Sequence, residues 1–336
     1  MDGVLIIDKP AGMTSHDVVA LVRRTIGERR VGHTGTLDPF ATGVLVVLVG
    51  RATRLAEFLS GAEKEYEAVI RLGYATDTGD ITGVRILSEP PAARGPREGI
   101  PSGVQDAGGP HAKAQSPQSL TEETIETALA SLRGEIEQTP PMYSAKKIAG
   151  KKLYELARRG EEVERKAVGV TVSQFEALPS DGSLLKTNDD GTSDLFVRVV
   201  CSAGTYVRTL AESVGEQLGV GAHLSELRRS RAGQFKIADA ITLDRLNDVA
   251  QSGAVEEVLI SPDAALLHLP LLNLDADGAR RVRHGIDVQI EDPNASDWLD
   301  GQPVRMRDLN GQLIAVGIYE KDIIHPSVVI GALGVE

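Results

Sequence analysis

The sequence predicts an α+β fold, with a larger domain over residues 1–250 and a small, mostly β domain over residues 270–336. In the first 250 residues, apolar runs typical of strands alternate with amphipathic segments typical of helices. Near residue 270 the pattern changes, and a short helix precedes two apolar runs joined by Asn310-Gly311, a strong hairpin signal through a type I′ turn. The length of 336 residues is that of roughly two domains.

Composition excludes several classes of protein. Hydrophobic residues make up 41% and charged residues 25%, which is typical of a globular chain and excludes a wholly disordered or fibrous one. The single cysteine, Cys201, excludes an internal disulfide and a cysteine-based zinc site. The longest uncharged apolar run, Val44–Val49, is too short to span a membrane, and the start of the chain does not resemble a signal peptide. We therefore expect a cytoplasmic protein.

The elements of the larger domain follow in order. Thr14 or Ser15 can cap a helix that Gly27 ends. The run Val44–Val49, bounded by glycines, predicts a buried central strand. Further elements are the strands Tyr66–Leu72 and Leu195–Cys201 and the helices that start at Thr121, span Thr205–Leu218 and, in the smaller domain, span Ala276–His284.

Two segments are predicted to be mobile loops inserted into the larger domain. Residues 90–117 hold six prolines and five glycines in 28 positions, without an apolar period. Residues 180–194 are polar and contain glycine.

The charge distribution leaves a polyanionic partner open. The net charge is −12, but residues 251–336 alone hold 14 acids and six bases. Eight bases lie between Lys146 and Lys166 with four acids among them, and a second cluster comprises Arg228, Arg229, Arg231 and Lys236. Because salt screens acids beyond about 8–10 Å, such clusters can bind a polyanion. The alternative is a solvated helix face.

One segment is dense in residues that carry chemistry. Phosphate-loop, nucleophile-elbow and zinc-protease motifs are absent from the sequence. Between Arg30 and Val44, three glycines surround His33 and Asp38 just before the apolar strand. Glycines let the backbone approach a ligand. Asp38 followed by Pro39 is also an ordinary turn or helix start, and His33 an ordinary loop residue, so the segment alone leaves both interpretations open.

This segment, Gly32-His-Thr-Gly-Thr-Leu-Asp-Pro-Phe-Ala-Thr-Gly43, resembles the catalytic motif of the TruB-type tRNA pseudouridine synthases. Further stretches match that family in the same order. They are Asp8-Lys-Pro-Ala-Gly-Met-Thr-Ser15, Lys64-Glu-Tyr-Glu67, Pro141-Met-Tyr-Ser-Ala-Lys146, Gly150-Lys-Lys-Leu-Tyr-Glu-Leu-Ala-Arg-Arg-Gly160 and Cys201-Ser-Ala-Gly-Thr-Tyr-Val-Arg-Thr-Leu210, the last continuing at Gly221-Ala-His-Leu-Ser-Glu-Leu-Arg-Arg229.

The resemblance implies an isomerase that converts the T-loop uridine of tRNA, position 55, to pseudouridine. It implies a mixed, largely antiparallel sheet flanked by helices, followed by a small PUA-like β domain. It also implies a reaction that needs no cofactor and no metal. The partner is the T stem-loop of tRNA, and we expect no membrane, no guide RNA and a monomer.

The resemblance also assigns roles to residues. Asp38 matches the catalytic aspartate, which can attack C1′, stabilise positive charge there or take a sugar proton. Arg208 matches the arginine that pairs with it, and Tyr66 the active-site tyrosine expected to stack on the uracil. Without the resemblance, Arg208 is equally a surface residue of its helix. Tyr206 and Leu227 match positions that contact the base, which has to be flipped out of the RNA. His33 matches the residue that enters the T loop, and the cluster that includes Lys151 and Lys152 is expected to contact the RNA backbone.

Two alternatives remain. A guide-RNA-dependent relative would carry out the same chemistry on other RNA, but such proteins have lysine-rich tails and this chain ends Gly-Ala-Leu-Gly-Val-Glu. An RNA chaperone would bind tRNA without needing isomerisation. The two activities separate in Asp38→Asn, which is expected to bind RNA and form no product.

Overall fold

The computed structural model describes residues 1–86, 116–144, 146–148, 150–161, 163–179, 182–290 and 297–330. The loop predicted over residues 90–117 lies outside them, apart from its last two residues. Within these ranges, no helix is both long and apolar enough to cross a membrane. The helices are α1 (Ser15–Ile26), α2 (Ala56–Ser60), α3 (Glu122–Ala130), α4 (Leu153–Ala157), α5 (Val207–Gln217), α6 (Leu243–Gln251) and α7 (Ala276–Arg283).

The strands include every strand that the sequence predicts, and several more. They are β1 (Gly3–Lys9), β2 (Val31–His33), β3 (Thr42–Val49), β4 (Lys64–Leu72), β5 (Gly134–Gln138), β6 (Lys147–Ile148), β7 (Lys151–Lys152), β8 (Val168–Ala177), β9 (Leu185–Thr187), β10 (Ser193–Cys201), β11 (Ala222–Ala232), β12 (Phe235–Lys236), β13 (Leu271–Asn273), β14 (Val288–Gln289), β15 (Pro303–Arg307), β16 (Leu313–Glu320) and β17 (Ile323–Val329).

The chain forms two compact units. The first, called here the terminal unit, comprises Met1–Ala62 and Arg229–Glu336, and the second, the central unit, comprises Glu63–Arg228. These units do not follow the domain bounds predicted from the sequence, 1–250 and 270–336.

In the terminal unit, β3 is the middle strand. It pairs antiparallel with β1 on one edge and with β2 on the other, so that Val49 faces Gly3 and Val31. Every residue of β3 after Thr42 is buried, because both faces of the strand are covered. The prediction of a buried strand over Val44–Val49 is therefore confirmed.

Helices cover one face of these strands. The side chains of Leu45 and Val47 pack with Val18 and Val22 of α1 and with Leu246 of α6. Helix α1 begins with a capping box, because the Thr14 hydroxyl accepts from the N–H of Asp17 while the Asp17 carboxylate accepts from the N–H of Thr14. It ends at Gly27, which has φ +68°. Both ends are as the sequence predicts.

The other face of β1 and β3 packs against the C-terminal sheet. Val44 and Val46 share one apolar cluster with Val316 of β16, Val328 of β17 and Ile330. Residues of the predicted C-terminal domain therefore complete the core around β3, which is why the compact unit joins the two ends of the chain. The C-terminal sheet has five strands in the order β13-β15-β16-β17-β14.

The C-terminal hairpin exists, but its predicted turn type is wrong. A type I′ turn needs a positive φ at both central residues, and of Asn310 and Gly311 only Gly311 has one, at +74°. The loop is longer than two residues, and the carboxylate of Asp308 accepts from the N–H groups of Asn310 and Gln312. The next turn, between β16 and β17, has positive φ at both Lys321 and Asp322, at 48° and 62°.

The central unit is built on an antiparallel sheet. Strand β10 lies between β4 and β8, and β8 pairs with β5. The strands predicted at Tyr66–Leu72 and Leu195–Cys201 are confirmed as β4 and β10. The helix predicted over Thr205–Leu218 is α5, which starts two residues later than predicted. All these pairs are antiparallel, in agreement with the mixed, largely antiparallel sheet that was predicted.

The loop predicted over residues 180–194 is in part a β-hairpin. Leu185–Thr187 forms β9, which pairs with β10 through Leu185 opposite Leu195. Thr192 closes the hairpin, since the Asp190 carboxylate accepts from its N–H and its hydroxyl. Composition misses this hairpin because its pairing is supplied by the neighbouring strand β10.

Gly43 tests how tightly the start of β3 is packed. Its φ is +98°, and a Cβ there would lie 2.3 Å from the carbonyl oxygen of Arg229. We expect Gly43→Ala to lower the free energy of unfolding by at least about 2 kcal/mol, since both backbone strain and a backbone clash oppose it. Urea unfolding measures this value. Gly61→Ala is the control, because Gly61 has φ −73° and its Cβ would meet nothing within 4 Å. Equal stability of the two variants would contradict the packing described here.

Candidate active site

Asp38 lies on the loop between β2 and β3, in the terminal unit. The loop turns tightly there, because the N–H of Ala41 donates to the carbonyl of Asp38 at 3.1 Å. The side chain of Asp38 is partly exposed, whereas its neighbour Leu37 is buried. The turn therefore presents the carboxylate at the surface on a fixed backbone.

Residues on either side of Asp38 are held by the segment that precedes and begins α1. The Ser15 hydroxyl accepts from the N–H of Leu37 at 2.9 Å and lies 3.2 Å from its carbonyl. The N–H of Gly12 donates to the carbonyl of Pro39 at 2.8 Å. The segment Asp8–Ser15 is thus the structural partner of the Asp38 loop, which sequence reasoning did not foresee.

A buried lysine interacts electrostatically with Asp38. Lys9 is fully buried, and its ammonium donates to the carbonyls of Pro10 at 2.8 Å and Pro39 at 3.2 Å. Burial lowers the pKa of Lys9 to about 8, while the negative charge of Asp38 opposes that shift. Lys9 remains mostly protonated at pH 7, so a positive charge stabilises the negative charge of Asp38.

Arg229 is a second buried cation of this site. Its side chain donates to the carbonyls of Val44 at 2.7 Å and Gly35 at 3.2 Å. Only 2% of the residue is exposed. The sequence placed Arg229 in a basic cluster that could bind a polyanion, but its guanidinium is committed to the backbone of the glycine-rich loop. A Cβ on Gly35 would lie 3.5 Å from that guanidinium.

His33 ends β2 and is half-buried. Its ring meets that of His16 edge to face, with the centroids 5.5 Å apart. Burial, then the charges of His16 and Arg229, lowers the pKa of His33 to about 4. Among the described residues, no hydrogen-bond partner meets its Nδ1. His33 is therefore a neutral ring at neutral pH.

The other predicted site residues lie in the central unit. Arg208 is in the first turn of α5 and only 4% exposed, so it is not a surface residue of its helix. Its guanidinium donates to the carbonyls of Thr78 at 2.8 Å and Tyr143 at 2.6 Å. Asp80, also buried, forms an ion pair with it at 3.5 Å.

Asp80 was missed by the sequence analysis, although it ends the run Thr76-Asp-Thr-Gly-Asp80. Its carboxylate accepts from the Thr78 hydroxyl and from the N–H and hydroxyl of Thr82, so its own loop holds it in place. The buried carboxylate of Asp80 pairs with the buried guanidinium of Arg208. Removing either partner would therefore leave the other as an unpaired buried charge. The loop begins at Tyr74, whose ring lies 4.6 Å from that of His223 and whose carbonyl contacts the His223 ring.

Three further predicted residues lie on strands or at a helix end of the central unit. Tyr206 caps α5, and the buried Gln138 side chain accepts from its N–H at 2.7 Å and donates to its carbonyl at 3.1 Å. Tyr66 lies on β4 opposite Val199 and is 8% exposed. Leu227 lies on β11 and is 7% exposed. All three therefore have backbones fixed by the sheet or by a buried amide.

The basic cluster of residues 146–166 is not a helix face. Lys147, Ile148, Lys151 and Lys152 form the two-stranded sheet of β6 and β7, which leads into the short helix α4. The side chains of Lys147 and Lys151 are exposed. Exposed side chains on this hairpin and beyond α4 keep the cluster available to a polyanion.

The predicted site residues thus fall into two sets. Asp38 and His33 belong to the terminal unit, and Tyr66, Lys151, Lys152, Tyr206, Arg208 and Leu227 belong to the central unit. In each unit a buried cation donates to backbone carbonyls and interacts electrostatically with a carboxylate. Across the described ranges, no group of three or more His, Cys, Asp or Glu side chains could hold a metal ion. Chemically, the terminal unit presents a carboxylate beside a buried ammonium.

Two family models together match residues 23–267 of the chain. The family model "TruB family pseudouridylate synthase (N terminal domain)" matches residues 23–100 and 99–207. The model "tRNA pseudouridylate synthase B C-terminal domain" matches residues 208–267. The C-terminal sheet lies beyond both matches.

Curated relatives extend over nearly the whole chain. The chain is 43% identical to the tRNA pseudouridine synthase B of Geobacillus thermodenitrificans (strain NG80-2) over 328 residues, which cover 98% of this chain and 97% of that protein. It is 44% identical to that of Geobacillus kaustophilus (strain HTA426) over 290 residues, 86% of this chain and 92% of the relative.

Solved structures share the fold. A chain from the crystal structure of a Cbf5-Nop10-Gar1 complex matches 98% of this chain with a TM-score of 0.67 and 27% identity, over 85% of its own length. A chain from an H/ACA RNP bound to a substrate RNA containing 2′-deoxyuridine matches with a TM-score of 0.66 and 25% identity, covering 98% of this chain and 85% of that chain.

His33 gives a pH-dependent test of the site. Its pKa is about 4 in the folded protein, against an ordinary 6.5, so unfolded chains take up a proton first as the pH falls. We expect wild type to lose stability relative to His33→Asn between pH 6.5 and pH 4. Urea unfolding at pH 7.5 and pH 4.5 measures this difference.

The same ring can be followed directly by NMR. Its titration midpoint should lie near pH 4 and rise in His16→Ala, because the charge of His16 contributes to the lowered pKa. A midpoint near pH 6.5 in the wild type would contradict the burial described for His33.

Proposed function

Because this chain belongs to the TruB family of pseudouridylate synthases, we propose that the uridine it isomerises is the T-loop uridine of tRNA, position 55. The chain is a tRNA pseudouridine synthase, as its relatives at 37–44% identity are. The target position and the roles of individual residues belong to the proposal. Its main support is the Asp38 loop, which is anchored on both flanks and carries a carboxylate beside a buried ammonium.

The reaction exchanges one bond for another within a single nucleotide. The N1–C1′ bond breaks, the uracil turns, and C5 bonds to C1′. C5 then loses its hydrogen and N1 gains a proton, so atoms and electrons balance without an added oxidant or reductant. Positive charge develops at C1′ when the first bond breaks, which favours an ionised carboxylate close to the sugar.

Asp38 supplies that carboxylate in the proposal. The turn at Ala41, the Ser15 hydroxyl and the Gly12 N–H fix the backbone that carries it, and the ammonium of Lys9 favours its ionised form. A carboxylate held in one place avoids the cost of reorganising during the reaction. In that place the carboxylate can attack C1′, stabilise positive charge there or take a sugar proton.

Arg208 is the arginine that the resemblance assigns to this aspartate. In the proposal, Asp80 positions Arg208 by their ion pair, and the carbonyls of Thr78 and Tyr143 fix the plane of its guanidinium. Because the guanidinium is planar and its orientation is fixed by these acceptors, its remaining N–H groups point in a defined direction, which suits pairing with a carboxylate.

The flipped uracil requires contacts as well. We assign stacking to Tyr66, contact with the base to Tyr206 and Leu227, and entry into the T loop to His33, whose ring is neutral at neutral pH. An uncharged ring can replace a stacked base without burying a charge, which supports that role. Lys151, Lys152 and the rest of their cluster would contact the RNA backbone, adding affinity more than sequence preference.

We further propose that the enzyme acts on tRNA as a monomer, in the cytoplasm and without a guide RNA. The chains from the Cbf5-Nop10-Gar1 complex and from the H/ACA RNP are 27% and 25% identical to this chain. The relatives named tRNA pseudouridine synthase B are more similar and match in length.

Tritium release from a T stem-loop labelled at uridine C5 tests the proposal. We expect wild type to release tritium and Asp38→Asn to lose at least about 10⁴-fold in rate, because the developing charge would face no carboxylate. A transcript with cytidine at position 55 is the substrate control.

Two results would contradict this proposal. Release by Asp38→Asn at the wild-type rate would remove the assigned role of Asp38. Release from another uridine of full-length tRNA, with none from position 55, would change the assigned target.

Asp80 provides an independent test of Arg208. We expect Asp80→Asn to slow isomerisation at saturating tRNA by about 10²-fold, because the guanidinium loses the charge that positions it. Asp194→Asn is the matched control, since it breaks the ion pair of Asp194 with Arg71, also in the central unit. Single-turnover rates measure both. An Asp80 variant as fast as the Asp194 variant would show that the ion pair does not position Arg208 for the reaction.

A further inference from the structure

We propose that three exposed arginines of the terminal unit, Arg24, Arg29 and Arg30, bind the phosphate backbone of the tRNA stem that adjoins the target loop. They are called the arginine patch below. This inference rests on the proposed function, since it describes a further contact with the same substrate. Neither basic cluster identified in the sequence includes these residues.

The patch stands out from the charge of the chain. Four arginines and one glutamate lie between residues 23 and 30, in a chain whose net charge is −12. All three patch residues are exposed. The glutamate, Glu28, is turned to the backbone, where its carboxylate accepts from the N–H of Arg30 at 2.9 Å.

Neighbouring arginines have structural partners, whereas the patch residues have none among the described residues. The Arg23 guanidinium donates to the carbonyl of Val31 at 3.0 Å. Next to the patch, the N–H of Gly50 donates to the carbonyl of Arg30 at 2.7 Å, which brings the turn Gly50–Leu55 alongside. Its arginines are also engaged, Arg51 with Asp2 and the carbonyl of Ile330, and Arg54 with the carbonyl of Val329.

No such acceptor, charged or neutral, meets the side chains of Arg24, Arg29 or Arg30 within the described part of the chain. The helix dipole gives a structural reason for Arg24, which lies in the last turn of α1. It gives none for Arg29 and Arg30, which follow the cap at Gly27. Exposed guanidiniums without an internal partner are suited to phosphates.

The position of the patch fits a stem rather than the flipped base. Helix α1 begins beside the Asp38 loop, at Ser15, and Arg24 lies nine residues further along it, about 14 Å away at about 1.5 Å per residue. From the other side, Arg30 directly precedes β2, and His33 lies three residues further, about 10 Å away. The patch is therefore about 10–20 Å from the site, the length of a few nucleotides of a stem at roughly 3 Å each.

Salt dependence of tRNA affinity tests the patch. The variants are Arg24→Gln, Arg29→Gln and Arg30→Gln combined, and the corresponding triple change to lysine, each in the full chain. Binding of full-length tRNA is titrated between 50 and 300 mM KCl, as the slope of log affinity against log salt. Urea unfolding of each variant shows that it is folded.

We expect the glutamine variant to lower the slope by about two to three units and to weaken binding at least about tenfold at 100 mM salt, because each lost phosphate contact removes about one unit. The lysine variant should keep the wild-type slope, since it keeps the charge. The isomerisation rate at saturating tRNA should be unchanged in both.

An unchanged slope in the glutamine variant would overturn the proposal, and so would an equal loss in the lysine variant, which would indicate a structural effect. Arg29→Gln alone, at a position beyond the helix, serves if the triple variant does not fold, and the expected change is then about one unit. Failure of the proposed function is distinguishable, because wild type would then release no tritium from position 55 whatever its salt slope.

Discussion

The Asp38 loop depends on two buried cations, Lys9 and Arg229. Lys9 and Arg229 are almost completely buried, and a buried charge without partners costs several kcal/mol. Their donors are satisfied by the carbonyls of Pro10, Pro39, Val44 and Gly35, all in or beside the segments that meet at the loop. The loop can hold only those conformations that present these carbonyls, so the cations restrict the backbone that carries Asp38.

The central unit also holds a buried cation by backbone carbonyls, and there a buried carboxylate forms an ion pair with it. Arg208 is buried against the carbonyls of Thr78 and Tyr143, and Asp80 neutralises its charge. Asp80 in turn uses its remaining lone pairs on Thr78 and Thr82. A buried hydrogen-bond network is rigid when every donor and acceptor in it has a partner. Removing one residue leaves its partners buried and unpaired, which lowers the free energy of unfolding. Hydrogen bonds and charge pairs of buried cations therefore fix the proposed catalytic residues in both units.

Apolar packing explains why the C-terminal sheet belongs to the same compact unit as Asp38. Strand β3 is apolar on both faces, so it needs a cover on each. Helices α1 and α6 supply one cover, and Val316, Val328 and Ile330 contribute to the other. The sheet at the C-terminus is thus part of the core that supports the Asp38 loop, whatever contact it makes with RNA.

The sequence by itself determined the local elements and the identity of the reactive segment. The capping box at Thr14, the end at Gly27, the strand Val44–Val49 and the segment Gly32–Gly43 follow from short-range patterns and from resemblance. Only the tertiary structure decided which charges are buried. Lys9, Arg229 and Asp80 are ordinary charged residues in the sequence, and their roles arise from carbonyls and side chains brought close by folding. It also decided that Leu185–Thr187 is a strand and that the C-terminal sheet completes the core, because pairing and burial depend on partners distant in the chain.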